Sequence, residues 1–129
     1  MRFMMIVKAD ERFENGAPLD PKLLEAVGKL SAEMQEKGIL LSNGGLLPTS
    51  KGAKIKVANS KLSVTDGPFI ETKELVGGFA ILEANSKEHA IELGKQFMQL
   101  HVDTLGPSYV GELEVRQMFD PLDCGGSHE

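Results

Sequence analysis

An α+β fold is predicted for this chain from three observations. Apolar runs at 2–9 and 77–83 are typical of buried strands, and the segment at 112–119 alternates polar and apolar residues. Between these strands lie two segments of helical period, at about 21–37 and 87–100. Their order, with a hairpin before the second apolar run, is the ferredoxin-like βαββαβ plan with an inserted β-hairpin.

The first predicted helix has clear start and stop signals. Asp20 suits the N-cap and Pro21 suits the first helical position, where its missing N–H costs nothing. Gly38 suits the C-terminus. An apolar stripe at helical spacing lies between them, formed by Leu23, Val27, Leu30 and Met34. The segment from 10 to 17, with Asn15-Gly16, predicts a loop before this helix.

A strand beginning at 39–41 and a hairpin are predicted next. Gly44-Gly45 is expected to break that strand. The alternation at 54–57, a turn at Asn59-Ser60 and a return at 61–65 predict the hairpin. After the strand at 77–83, Ser86 caps the second helix. The last strand places Glu114 and Arg116 on one face, and a polar tail is expected from about 121, within a single domain of residues 1–129.

The apolar pattern also predicts a homodimer. Two helices can cover only one face of such a sheet, yet the strands at 2–9 and 77–83 are apolar on both faces. A second copy of the same sheet would bury the other face, so we expect two chains with facing sheets, a dimeric α+β barrel.

Composition excludes several classes of function. The net charge is -5 and the pI about 5.2, with no basic stripe for nucleic acid. No segment approaches membrane-spanning length, and the single cysteine, Cys124, fits a reducing, cytoplasmic setting. Neither a zinc-like spacing nor a phosphate loop is present, so no metal and no cofactor are expected.

One run of residues carries a family resemblance. The segment 64–74, with Asp66-Gly67-Pro68-Phe69 at its centre, closely resembles the signature of the DGPF branch of the YCII-related proteins. The spaced residues of 46–54, Gly77-Gly78-Phe79 and the residues of 112–116 are similar to the same family, so the resemblance covers nearly the whole chain.

The resemblance implies a dimeric α+β barrel and a bacterial cytosolic setting, without a defined activity. Some relatives occur beside or fused to sigma factors, which implies a regulatory role. In better-studied relatives a His–Asp pair is the proposed active site. Here no histidine lies near the motif, since His89 and His101 fall on the second helix and His128 in the tail.

The charges around the motif are the candidate functional residues. Asp66-Gly67-Pro68 alone is typical of a turn, but the charges that follow it exceed what a turn requires. Asp66, Glu71 and Glu74 are predicted to act in acid–base catalysis, since a carboxylate beside an apolar wall has a raised pKa. We predict that the ligand is bound by Lys73, Arg116, Glu114 and Phe69.

Two interpretations of these charges stay open. Arg116 either binds a ligand or pairs with Glu114, Glu71 or Glu74 to tie strands together. The leading hypothesis for the protein is a small-molecule-binding dimeric barrel, which would be an enzyme if its carboxylates act as acid–base catalysts. The alternative is a non-enzymatic regulatory or interaction module that uses the hairpin at about 54–66, linked to sigma-factor control. A third is a structural dimer with a vestigial site.

Overall fold

A computed structural model describes residues 1–68 and 75–120 of the chain. It is an α+β structure built on a four-stranded antiparallel sheet of β1 (Arg2–Lys8), β2 (Leu40–Gly45), β5 (Val76–Glu83) and β6 (Leu113–Gln117). The order across the sheet is β2-β5-β1-β6. This order is consistent with the ferredoxin-like plan.

Between β2 and β5 the chain forms a separate two-stranded sheet. Its strands are β3 (Ala53–Ala58) and β4 (Lys61–Asp66), joined at Asn59 and Ser60. Both turn residues have positive φ, 53° and 64°, as a two-residue hairpin turn requires. Every residue of the two strands is exposed. The hairpin therefore projects from the body and presents both of its faces.

Two long helices pack on one face of the main sheet. Helix α2 (Pro21–Glu36) begins as expected, with the Asp20 carboxylate accepting a hydrogen bond from the Lys22 N–H at 2.8 Å. Its predicted stripe is only half-buried. Helix α3 (Lys87–Leu105) is capped by the Ser86 hydroxyl and buries four residues, which are Ala90, Leu93, Gly94 and His101.

We call the covered side of the sheet the helix face and the other side the open face. The helix face carries the core, formed around Phe3, Met5 and Leu82. Gly94 lets α3 approach closely, because a Cβ there would lie 3.2 Å from Leu113. The alternate residues of the central strands, Met4, Ile6, Phe79 and Ile81, lie half-buried on the open face.

Three local predictions were wrong. The segment expected to be a loop contains a short helix, α1 (Glu11–Glu14), because the Asp10 carboxylate accepts from the Phe13 N–H at 2.9 Å. Gly44-Gly45 does not break β2, which pairs with β5 through both glycines. The second helix extends five residues beyond 100, to Leu105, where Gly106 ends it at φ 101°.

The first three residues of the DGPF run lie at the base of the hairpin. Asp66 ends β4, and the Gly67–Pro68 peptide bond is cis. The Gly67 N–H donates to the Gly52 carbonyl at 2.9 Å. A Cβ at Gly67 would lie 1.7 Å from the Thr49 carbonyl oxygen, so only glycine fits against that backbone. The expectation of a flexible tail from about 121 falls outside the described residues.

Among the described residues, no helix is both long enough and apolar enough to cross a membrane.

We predict that Gly67→Ala destabilises the protein by about 2 kcal/mol or more, because the added Cβ displaces the Thr49 backbone. The matched control is Gly28→Ala on the exposed surface of α2, where a Cβ meets nothing within 4 Å. That change should stabilise the protein by roughly 0.5–1 kcal/mol. Urea unfolding measures both, and equal effects of the two changes would contradict the close approach at Gly67.

Candidate functional site

The predicted site residues of the last strand form a charge cluster on the open face. The Arg116 guanidinium donates from Nε to Glu114 Oε2 at 2.6 Å and contacts the same carboxylate through Nη2. Lys8 Nζ, on the neighbouring strand β1, lies 3.5 Å from Glu114 Oε1. Glu114 therefore joins two cations, one from each of two paired strands.

The electrostatics of Glu114 differ from those expected of a general base. The hydrogen bond from Arg116 is the largest influence on this carboxyl and lowers its pKa; partial desolvation opposes the shift, and the charges of Arg116 and Lys8 add to it. A lowered pKa keeps Glu114 ionised at neutral pH. Within one chain the Lys8–Glu114 contact joins β1 to β6, whereas the Glu114–Arg116 contact lies within β6. Ligand binding by Glu114 and Arg116 stays a prediction.

The other predicted residues lie apart from this cluster or outside the described ranges. Asp66 is exposed at the end of β4, in the two-stranded sheet, whereas Glu114 and Arg116 belong to the four-stranded sheet. Phe69, Glu71, Lys73 and Glu74 fall outside the residues that the structure describes. The convergence of all seven residues on one pocket therefore stays a prediction.

A cavity of about 1500 Å³ lies on the opposite side of the sheet. It lies between the helix face and most of α2 and reaches α3, and no α2 side chain is fully buried. Its walls are mainly apolar. They include Met5, Ala80 and Leu82 from the sheet, Leu23, Val27, Leu30 and Met34 from α2, and Leu93, Phe97 and Leu105 from α3.

Three polar residues of the cavity wall come from distant parts of the chain. Asp10 follows β1, His101 lies on α3, and Tyr109 lies in the loop after α3. The ring centroids of His101 and Tyr109 are 5.3 Å apart, and Phe97 packs edge-on against His101 with centroids 4.6 Å apart. The arrangement adds polar groups to a largely apolar chamber, which is the usual composition of a small-molecule site.

The protonation of Tyr109 is set by this environment. Burial raises the pKa of its hydroxyl, and the negative charge of Asp10 raises it further. The phenol therefore keeps its proton at neutral pH and can donate a hydrogen bond into the cavity. Asp10 is itself held in place, because its carboxylate caps α1.

Sequence reasoning identified only part of this site. His101 lies on the second helix, as the sequence predicts, and its side chain is buried there. Asp10 was assigned to a loop, and Tyr109 carried no local signal. The N-cap spacing from Asp10 to Phe13 was the one available cue, and it indicates a cap, not a site.

Among residues 1–68 and 75–120, no group of three or more histidine, cysteine, aspartate or glutamate side chains is placed to hold a metal ion.

We predict that the contribution of Glu114 to stability depends on pH. Its folded pKa lies below the ordinary value of 4.5, so the stabilisation is present above 4.5 and is lost as the pH falls through the folded value. The stability difference between wild type and Glu114→Gln should therefore be constant above pH 4.5 and shrink as the pH falls through the lowered pKa of Glu114. Urea unfolding at each pH measures it. Glu33→Gln on α2 is the control, and a difference independent of pH would contradict the shift.

Comparisons with known proteins place this fold in a family. The YCII-related domain matches residues 1–97, which include β1 to β5 and the first half of α3. An uncharacterised protein, R00369 of Rhizobium meliloti (strain 1021), is 26% identical over 99 residues, 77% of this chain and 75% of that protein. Since the matched domain spans about three quarters of the sequence, the chain belongs to the YCII-related family.

Proposed function

We propose that this protein is a small-molecule-binding homodimer whose ligand occupies the cavity between the helix face and α2. The cavity carries the proposal, since about 1500 Å³ is ample for a metabolite-sized molecule and its wall is apolar with a few polar groups. An apolar chamber of this size left unfilled would cost packing energy, which a ligand of matching shape recovers.

The proposed location differs from the one expected near the DGPF run. Of the predicted site residues that the structure describes, none lines this cavity, since Glu114 and Arg116 lie on the open face and Asp66 lies on the hairpin. The catalytic assignments of Asp66, Glu71 and Glu74, and the ligand contacts of Lys73 and Phe69, stand as a separate proposal. We also propose the DGPF branch of the family, on the run from Asp66 to Phe69.

A second chain is proposed to cover the open face. Met4, Ile6, Phe79 and Ile81 form a half-buried apolar strip there, on two paired strands, with the Lys8–Glu114–Arg116 cluster beside it. Both long helices pack on the opposite face. Two copies related by a two-fold axis would bury this strip against itself, which is the self-complementary contact of a symmetric dimer.

The hairpin favours a second candidate function, a regulatory or protein-interaction module. Its paired residues Ile55–Val64 and Val57–Leu62 place four apolar side chains on one face, all exposed, with Leu62 at 73%. An exposed apolar patch on a projecting arm is typical of an interaction surface. A link to sigma-factor control would act through this arm.

The cavity is tested with a variant that fills it. We predict that Ala80→Phe, which places a ring in the cavity from the sheet, abolishes binding of ligands found in a thermal-shift screen of neutral metabolites. The melting temperature of the unliganded variant should stay within a few degrees of wild type, since the ring fills empty space. Arg116→Ala is the matched control on the open face. Hits lost in Arg116→Ala and kept in Ala80→Phe would place the ligand between the sheets instead.

The dimer is tested by placing a charge in the apolar strip. We predict that Ile81→Lys gives a folded monomer in light scattering at about ten micromolar, because a lysine at the centre of a facing-sheet contact is desolvated without a partner. Val57→Lys on the hairpin should remain dimeric. A monomeric wild type would overturn the dimer. A monomer from Val57→Lys alone would assign the contact to the hairpin.

A further inference from the structure

His101 contributes to the cavity between the helix face and α2 a hydrogen-bond acceptor for which the described chain offers no donor. His101 is 6% exposed, and its Nδ1 lies 2.9 Å from the Phe97 carbonyl oxygen, one turn earlier in α3. A carbonyl oxygen can only accept a hydrogen bond, so Nδ1 carries the proton. In the neutral ring, Nε2 is then an acceptor with a free lone pair.

The environment of Nε2 indicates where that lone pair points. Within residues 1–68 and 75–120, no side chain or backbone group makes a hydrogen bond to Nε2 of His101. Yet no fully buried side-chain nitrogen or oxygen in that part of the chain lacks a partner. Nε2 must therefore border accessible space, and the accessible space beside His101 is the cavity that it lines.

The residues around His101 hold the ring in this orientation. Phe97 packs edge-on against it and Tyr109 lies at a tilt of 33°. Tyr109 is fixed in turn, because its hydroxyl lies against the Gly111 backbone, where a Cβ would come within 2.0 Å of that oxygen. The imidazole is therefore preorganised, so a ligand that hydrogen-bonds to Nε2 does not need to order it.

The charges of the cavity wall do not select an ion of either sign strongly. Among the described lining residues, two are cations, Lys8 and Arg12, and three are carboxylates, Asp10, Asp20 and Glu112. The Lys8 ammonium contacts Glu114 on the open face, and the Asp10 and Asp20 carboxylates cap α1 and α2. Arg12 and Glu112 remain, one charge of each sign. Tyr109, which keeps its proton, adds a neutral donor. A wall of nearly balanced charge around an apolar chamber favours a neutral ligand with one polar end.

We propose that Nε2 of His101 binds the hydroxyl group of a small neutral alcohol or phenol whose apolar body occupies the chamber between α2 and the sheet. This inference rests on the proposed function and adds the chemical class of the ligand. The hydroxyl donates to Nε2, and its oxygen can accept from Tyr109. A ligand without a donor would leave the buried Nε2 unpaired and would therefore bind more weakly. The hydroxyl thus gives specificity as well as affinity.

A matched pair of ligands tests the proposal in the intact protein. In calorimetric titration, para-tert-butylphenol should bind roughly five- to tenfold more tightly than para-tert-butylanisole, which has the same apolar body but a methyl ether in place of the donor. His101→Asn should remove this difference, because asparagine retains an N–H for the Phe97 carbonyl and lacks the second ring nitrogen. Nitrogen NMR of wild type gives an independent readout, since the His101 Nε2 signal should shift with the phenol and not with the anisole.

The outcomes separate this inference from the proposed function. Equal binding of phenol and anisole to wild type, with both lost in Ala80→Phe, would keep the cavity as the binding site and overturn the role of Nε2. Tighter binding of para-tert-butylbenzoate than of the phenol would overturn the neutral ligand class. No binding of any of the three compounds would count against the cavity itself and with it the assignment of Nε2.

Discussion

The structure depends on the burial of β1 between two neighbouring strands and beneath α3. β1 pairs with β5 on one side and β6 on the other, so its backbone hydrogen bonds are satisfied from both edges. Its side chains Phe3 and Met5, 1% and 4% exposed, enter the core. Leu82, from the neighbouring β5, completes this apolar contact. The same strand ends at Lys8 and leads directly to Asp10, so the element that forms the core also carries residues to both candidate sites.

Because successive side chains of β1 point to opposite sides, this strand contributes to both faces of the sheet. Phe3 and Met5 point toward the helices, while Met4 and Ile6 lie on the open face. The helix face is only partly filled, since α2 stands away from the sheet over the cavity. The open face carries a narrower set of groups, an apolar strip with one linked cluster of charges. The first arrangement can enclose a molecule, and the second is suited to a flat contact.

Much of the fold could be predicted from the sequence because its signals are local. Asp20 with Pro21 marked the start of α2, and Asn59-Ser60 marked the hairpin turn. The misassignment of Gly44-Gly45 concerns residues whose state depends on distant neighbours. Gly44 remains in β2 because it pairs with Phe79, and a Cβ there would lie 3.0 Å from that ring. No window of sequence around Gly44 contains that information.

The candidate site was predictable to a smaller extent, for the same physical reason. Glu114 and Arg116 are two residues apart on one strand, so their side chains lie on the same face, and they contact each other. His101 and Tyr109 lie eight residues apart across a helix end, and Asp10 is far from both in sequence. Their proximity arises from tertiary packing of α3 against the sheet, which residue types and spacing do not encode.

The low burial of α2 also bears on the route by which a molecule would enter the cavity. α3 anchors four buried residues, whereas α2 has none and faces the chamber with half-buried side chains. The free energy needed to displace a helix from a domain grows with the apolar surface that it buries, so α2 is the wall that we expect to yield first. A molecule that entered past α2 would leave the contacts of β1 and α3 intact, and its exchange would not require unfolding of the core.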